Sequence, residues 1–193
     1  GHDTAGDTAG SPELRPPLSE APTRRGEGAA GYDWYGFSVA SAGDVDGDGI
    51  ADVIVGARNT HVDQPNEGSA YLYLGTPRGL TELPVWETRG GVRDARLGEA
   101  VAGVGDVDGD GFDDVVTAAA NFPTPAGGNG RVYLHKGGPG GLRVEPVWSF
   151  DSEQRGSWLG RSVAGAGDVN GDGYADVLVG EKYHGRALRP AEG

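Results

Sequence analysis

The chain has 193 residues, a formal net charge of −13 and 37 glycines. This length suits one domain with a core of its own, and the acidic balance argues against nucleic acid as a partner, because nucleic-acid-binding proteins need basic surfaces. There is no cysteine, so the sequence does not indicate whether the protein resides in an oxidising or a reducing compartment. No apolar run is long enough to predict a transmembrane segment.

The N-terminal residues 1–17 begin with a short polar repeat of Gly, Asp, Thr and Ala. We expect them to form a flexible spacer behind a removed signal or a lipid anchor. In residues 18–25, which follow, Leu18 and Pro22 each have a counterpart 62 residues later. This register predicts an outermost strand that is not preceded by the other strands of its sheet.

Repeat one spans residues 35–88 and contains four segments of strand length, separated by turn residues. They are residues 35–40, 53–56, 68–75 and 83–86. The second and third segments are rich in β-branched and aromatic residues, which favour strands. Pro84 places the fourth segment at the edge of a sheet, because proline cannot donate to a ladder of hydrogen bonds.

The same pattern continues 62 residues later in repeat two, residues 97–150. Repeat three, residues 159–193, is incomplete, with its first two segments and only a weak third at 185–189. A four-stranded antiparallel unit that recurs at this interval is typical of a β-propeller blade. The sequence therefore predicts an all-β fold of about three blades. Trp86 and Trp148 recur at one position, and we expect them to pack between blades.

An acidic, glycine-rich loop joins the first and second strands of each repeat. Carboxylate or amide oxygens stand at positions 1, 3, 5 and 9, glycines at positions 4 and 6 permit the tight turn, and position 7 can offer its backbone carbonyl. The predicted metal ligands are Asp44, Asp46, Asp48, Ile50 and Asp52 in loop one, Asp106, Asp108, Asp110, Phe112 and Asp114 in loop two, and Asp168, Asn170, Asp172, Tyr174 and Asp176 in loop three.

These donors predict three Ca²⁺ sites. Calcium takes about six to eight oxygens in a flexible geometry, magnesium prefers a strict octahedron with bound waters, and zinc or copper would favour His or Cys. The loops are not EF-hands, because an EF-hand needs a glutamate at position 12, where each loop has an apolar residue or a threonine. We expect loop three to bind most weakly, because Asn170 removes one charge, and the extra Asp113 of loop two to be solvated.

The repeats resemble the FG-GAP repeats of integrin α-subunit propellers and their bacterial relatives. The shared pattern runs apolar-Gly-x-x-Val-Ala, then Gly-Asp-x-Asp/Asn-Gly-Asp-Gly-x-x-Asp-Val, then Val-Gly-Ala, over roughly residues 20–189. The resemblance implies a β-propeller with calcium at the ligands named above. The aromatic residue of the family's motif is Tyr35 in repeat one, but Leu97 and Leu159 stand at this position in the others.

Ring closure needs more blades than this chain supplies. The integrin-type ring has seven blades, and three cannot close a ring of the usual four to eight. The chain is therefore either part of a longer propeller or one of two copies in a homodimer. Two copies would complete a six-blade ring in which residues 18–25 of each chain complete the partner's third repeat.

The favoured function is a calcium-stabilised binding module for adhesion, which recognises an extracellular protein or a carbohydrate. Three segments differ in length or composition between the repeats, whereas the strands and acidic loops recur: residues 58–67, 121–129 and 181–184. Loops on a rigid scaffold commonly carry recognition. Calcium loops also suit the extracellular space, where calcium is plentiful, which predicts a secreted or cell-surface protein. The alternatives are a lectin and a non-catalytic scaffold attached to a secreted hydrolase.

We predict no catalytic activity. The four histidines do not occupy equivalent positions of the repeats; they are His2, His61, His135 and His184. A closed cage of carboxylates also leaves little open coordination on the ion for a substrate. A propeller hydrolase is the alternative from a different class. Turnover that survives mutation of the acidic loops but is lost with one histidine would favour it.

Overall fold

The computed structural model describes residues 33–182, and this part of the chain consists of β-strands joined by turns and loops, with no helix. In chain order the strands are β1 Tyr35–Gly43, β2 Asp52–Ala57, β3 Ser69–Tyr73, β4 Gly75–Thr76, β5 Gly79–Leu80, β6 Trp86–Arg89, β7 Leu97–Gly105, β8 Asp114–Pro123, β9 Asn129–His135, β10 Trp148–Asp151, β11 Leu159–Gly167 and β12 Asp176–Glu181. The predicted spacer 1–17, outer strand 18–25 and weak third strand 185–189 lie outside the described residues.

The strands form three successive antiparallel sheets in which spatial order follows chain order. The sheets are β1-β2-β3-β6, β7-β8-β9-β10 and β11-β12, and β4 and β5 form a separate small hairpin. The pairing register repeats as well, because Val39 lies opposite Val55 in the first sheet and Val101 lies opposite Thr117 in the second. The predicted all-β fold built of propeller blades is confirmed.

Apolar side chains from neighbouring sheets interlock in two main cores. The first contains Ile54, Leu72, Trp86, Val101, Val115 and Leu142. The second contains Val104, Val116, Val132 and Leu159, with Val163 and Val177 packed against them. Glycine allows the innermost strands to approach closely, because a Cβ added to Gly103 would lie only 2.5 Å from the carbonyl oxygen of Ser41. Part of the high glycine content is therefore a packing requirement between sheets.

The fourth strand of each complete sheet begins later than the sequence predicts. The structure starts it at Trp86 and Trp148, after the predicted segments 83–86 and 145–148 have almost ended. Leu83 is 76% exposed, and the proline that follows it has no N–H to donate to the neighbouring strand. The prediction that residues 68–75 form one strand is also wrong at its end, because β3 stops at Tyr73 and the β4–β5 hairpin follows.

The two equivalent tryptophans have different surroundings. Trp86 is buried between the first two sheets, where its ring packs edge-to-face with that of His135 at a centroid separation of 4.8 Å and its Nε1 donates to the Arg143 carbonyl at 3.0 Å. Trp148 is 47% exposed and stacks on Phe150 of its own strand. The expected packing between blades is confirmed for Trp86. For Trp148 it stays a prediction, because the position one period after His135 lies outside the described residues.

Candidate cation-binding loops

Each acidic loop is organised by the aspartate at its first position. In loop one the Asp44 carboxylate accepts hydrogen bonds from the backbone N–H groups of Gly47 (2.8 Å), Asp48 (3.0 Å) and Gly49 (2.8 Å). Gly47 and Gly49 adopt φ values of 77° and 86°, which are strained for residues with a Cβ. The same three bonds recur at Asp106 and Asp168. Short-range side-chain-to-backbone bonding therefore explains why these loops fold alike.

The structure brings some of the predicted ligands together in two of the loops. In loop one, carboxylate oxygens of Asp44, Asp46 and Asp48 all lie within 4.8 Å of one another. In loop two, the corresponding group is Asp106, Asp108 and Asp114, without Asp110. Three oxygens at this separation surround a space that suits a hard cation with water ligands.

Loop three differs from the other two. Among the described residues, its carboxylates do not form a comparable group of three. The amide of Asn170 instead donates to Asp172 at 2.9 Å. Backbone hydrogen bonds, led by the one from Gly173, hold the pKa of the exposed Asp168 below its ordinary value. The first-position carboxylate is therefore kept ionised in loop three as a local consequence of the turn.

The aspartate at position 9 also has a structural task. Asp52 and Asp114 are buried, and each accepts one backbone N–H from within its loop and one from the second residue after the third strand. For Asp52 these donors are Val45 (2.9 Å) and Gly75 (2.7 Å). Burial raises the pKa of both carboxyls above the ordinary value, and the backbone hydrogen bonds oppose that rise. Asp176 accepts from Val169 at 2.9 Å.

Successive loops are joined to each other by hydrogen bonds that the loop pattern did not predict. The N–H of Asp113 donates to the Asp44 carbonyl at 3.0 Å, and the Asp113 carboxylate accepts the Asp44 N–H at 2.8 Å. The expectation that Asp113 is solvated is therefore wrong. The equivalent main-chain bond joins Ala175 to Asp106 at 3.0 Å. The only signal in the sequence was that Asp113 departs from the alanine of the other repeats.

The side chains at position 7 pack on the preceding loop. A Cβ added to Gly47 would lie 2.7 Å from the Phe112 ring, and one added to Gly109 would lie 3.0 Å from the Tyr174 ring. The sequence assigned position 7 a backbone carbonyl ligand. The structure adds that its aromatic side chain covers the neighbouring loop, so glycine at position 4 is needed for this contact as well as for the turn.

A lysine also lies on loop two. The Lys136 ammonium contacts Asp108 and lies 3.1 Å from an Asp110 carboxylate oxygen, although its own side chain is only 16% exposed. The loop pattern gave no signal for Lys136, because this residue lies 22 residues after the end of the loop, just beyond the third strand of the sheet. Two predicted ligands of loop two are therefore already paired with a positive charge.

An ion-pair cluster crosses all three sheets away from the loops. The Glu99 side chain is buried, and its carboxylate lies 2.8 Å from the Arg58 guanidinium and 3.2 Å from that of Arg161. These three residues come from three successive repeats. The Arg58 guanidinium also stacks over the rings of Trp34 and Phe37, at 4.6 and 4.4 Å. This cluster fixes the sheets relative to one another.

The described histidines have unlike surroundings. His61 is exposed in the loop after β2, whereas His135 is 1% exposed, and burial lowers the pKa of His135 to about 4. His135 shares a hydrogen bond of 3.2 Å with Thr117 and packs on Trp86, which is a core position. His2 and His184 lie outside the described residues.

Two repeat families and several known proteins match this chain. The FG-GAP repeat pattern matches residues 35–73, and an FG-GAP-like repeat pattern matches residues 106–179. Integrin alpha-4 of Xenopus laevis is 34% identical over 76% of this chain and 14% of its own length. Integrin alpha-IIb of Homo sapiens is 39% identical over 81% of this chain and 15% of its own length. The chain thus spans about one-seventh of the length of these relatives.

Between residues 33 and 182, no helix has the length and apolar character required to cross a membrane.

Proposed function

The chain belongs to the FG-GAP repeat family of integrin-like β-propeller proteins, and we propose that it is a calcium-binding module that recognises an extracellular protein or carbohydrate. The observation that carries this proposal is the convergence of three carboxylates in loop one, repeated in loop two, on a scaffold of regular blades. We place the module in a secreted or cell-surface protein, where weak calcium sites can fill.

We propose three Ca²⁺ sites, one at each loop, with the fifteen ligands named from the sequence. Oxygen-only donors and partly exposed loops favour calcium over zinc or copper, and leave room for water in a flexible coordination shell. Loop three offers Asp168, Asn170, Asp172 and Asp176, and the amide makes it the weakest of the three by charge. Asp48 at position 5 is the exposed member of the three clustered carboxylates in loop one.

The calcium loops stabilise the scaffold, and recognition takes place elsewhere. In an antiparallel sheet, the turn between the first and second strands and the turn between the second and third lie at opposite ends. The acidic loops form the first kind of turn, and the variable residues 58–67 and 121–129 belong to the second. His61, Val62 and Asp63 are exposed in the former segment. We therefore assign ligand contact to the end of the blades that lies away from the loops.

Calcium titration tests this function. We expect wild-type protein to bind about three Ca²⁺ by calorimetry and to melt at a lower temperature in chelator, because unscreened carboxylates repel one another. Asp46→Asn with Asp48→Asn should remove one site. At a free calcium concentration about ten times the dissociation constant, that loss lowers the free energy of unfolding by about 1.4 kcal/mol.

A matched variant controls for the lost charge. Glu145→Gln with Glu153→Gln removes two exposed carboxylates outside the loops, and should leave the calcium stoichiometry unchanged. Equal melting temperatures in calcium and chelator, together with no heat of binding, would refute the calcium-binding function.

We also propose a homodimer, on the evidence of an open groove beside Trp148. The groove has a volume of about 540 Å³, and its apolar lining is Val107, Val116, Leu134, Val147, Trp148 and Val177. One period earlier, Leu142 and His135 of the second repeat cover Trp86. Leu18 has the register of Leu142. Residues 18–25 of a second copy are therefore the occupant we assign to the open groove.

Light scattering after gel filtration tests the dimer. We expect twice the mass of one chain in calcium and a smaller species in chelator, because Val107 and Asp108 of loop two line the groove. Trp148→Glu should give a monomer, whereas Val144→Glu, at an exposed position outside the groove, should remain dimeric. A well-folded wild-type monomer in calcium would rule out the homodimer and leave the groove for a further segment of a longer propeller.

A further inference from the structure

Lys136 supplies a fixed positive charge to only one of the acidic loops. Its ammonium touches Asp108 and lies 3.1 Å from Asp110, which stand at positions 3 and 5 of loop two. The side chain is 16% exposed, so most of its methylene stem is packed against the protein. A charge held in this way is pre-placed on the oxygens that a divalent cation would use.

Loop one has no such charge. The residue equivalent to Lys136 is Leu74, because both directly follow the third strand of their sheets. Among the described residues, no ion pair involves the carboxylates of Asp44, Asp46 or Asp48. The two loops share their turn geometry and first-position hydrogen bonds, so the lysine is a clear difference in charge between them.

We propose that Lys136 is an internal counter-cation that keeps loop two ordered without metal and weakens its binding of divalent cations relative to loop one. This inference rests on the proposed calcium-binding function. The ammonium offsets the repulsion between neighbouring carboxylates, which is the same repulsion that a bound cation relieves. A divalent cation entering loop two must displace the ammonium or lie within a few ångströms of it, and both cost binding free energy.

The order of filling follows from this arrangement. Loop one is stabilised by bound calcium, whereas loop two is stabilised in part by the Lys136 ammonium. As the free calcium concentration rises, the site in loop one fills before the site in loop two. The main-chain bonds between loops one and two then connect a calcium-dependent loop to one that is already ordered.

Lys136→Leu tests the proposal, because it gives loop two the residue of loop one. We expect one calcium site to become at least tenfold tighter by calorimetry, with the others unchanged. In chelator the variant should melt at a lower temperature than wild type, and added calcium should remove this difference. Adding Asp108→Asn to Lys136→Leu should abolish the tightened site, which assigns it to loop two.

Two further variants serve as controls. Leu74→Lys should weaken one site in the opposite sense, because it places an ammonium beside loop one. Arg155→Leu removes a positive charge at an exposed position between β10 and β11, and should leave every calcium affinity within about twofold of wild type.

The outcomes separate this inference from the function on which it rests. If neither wild type nor any variant binds calcium, the proposed function fails, and the inference fails with it. If wild type binds calcium but Lys136→Leu leaves each affinity and the melting temperature in chelator unchanged, the inference alone is overturned.

Discussion

Replacing Asp114 with alanine lowers the free energy of unfolding by about 3 kcal/mol, even in chelator. The buried carboxylate accepts backbone hydrogen bonds from Val107 (3.0 Å) and Gly137 (2.9 Å), which it joins across the base of loop two. Alanine leaves both N–H groups without this acceptor, at about 1–3 kcal/mol each. Burial of the charge, which raises the pKa of Asp114, offsets part of the loss. Urea denaturation in chelator gives the measurement.

The equivalent residue of repeat three is the matched control. Asp176 is only half-buried and accepts from Val169 at 2.9 Å, so Asp176→Ala should cost about 1 kcal/mol. If Asp114→Ala does not fold, Asp114→Asn, which keeps one acceptor oxygen, provides a smaller perturbation. Equal losses at the two positions would show that the bonds made by Asp114 to the end of the third strand add nothing to stability.

Lowering the pH from about 6.5 to about 4 should reduce the free energy of unfolding through His135. Burial lowers the pKa of His135 from 6.5 to about 4, so the folded state holds the ring neutral while the unfolded chain takes up a proton. The contribution is present in full above pH 6.5 and is lost as the pH falls through this window. A shift of this size corresponds to about 3 kcal/mol.

Carboxylates titrate in part of the same window, so the effect is measured as a difference between variants. His135→Gln removes the titrating ring at the core position, and His61→Gln removes one at an exposed position. The dependence of unfolding free energy on pH should flatten for His135→Gln between pH 6.5 and 4, and match wild type for His61→Gln. Identical curves for all three proteins would show that His135 is not held neutral by the fold.

Each acidic loop was predictable because its fold is local. A first-position aspartate that bonds to N–H groups three to five residues later needs only the loop's own residues, and the glycines at positions 4 and 6 supply the backbone freedom. The strands were predictable for a related reason, because apolar segments recurred at one period. The late start of the fourth strand was missed, because it depends on where pairing with the third strand begins.

Contacts between distant residues were not predictable from the loops or strands taken singly. Asp113 bonds to Asp44 of the preceding repeat, Glu99 pairs with arginines from the repeats on both sides, and Lys136 pairs with Asp108 inside its own repeat. In each case the partner lies about 28 to 70 residues away along the chain. The period shows which positions are equivalent, but it does not show that a polar side chain at one of them reaches into the neighbouring blade.

The sequence by itself determined the all-β repeat architecture, the three acidic loops and the oxygen-only donor set, because these depend on local turn chemistry and on a period in the apolar pattern. Only the tertiary structure decided how the donors are used. The carboxylates of Asp52 and Asp114 accept hydrogen bonds from backbone N–H groups, and Lys136 lies against the carboxylates of loop two. Trp148 is exposed, whereas the equivalent Trp86 is buried. Strand pairing within a blade sets the first two, because it brings the end of the third strand beside the acidic loop, and stacking of one blade on the next sets the third, because it places His135 on Trp86.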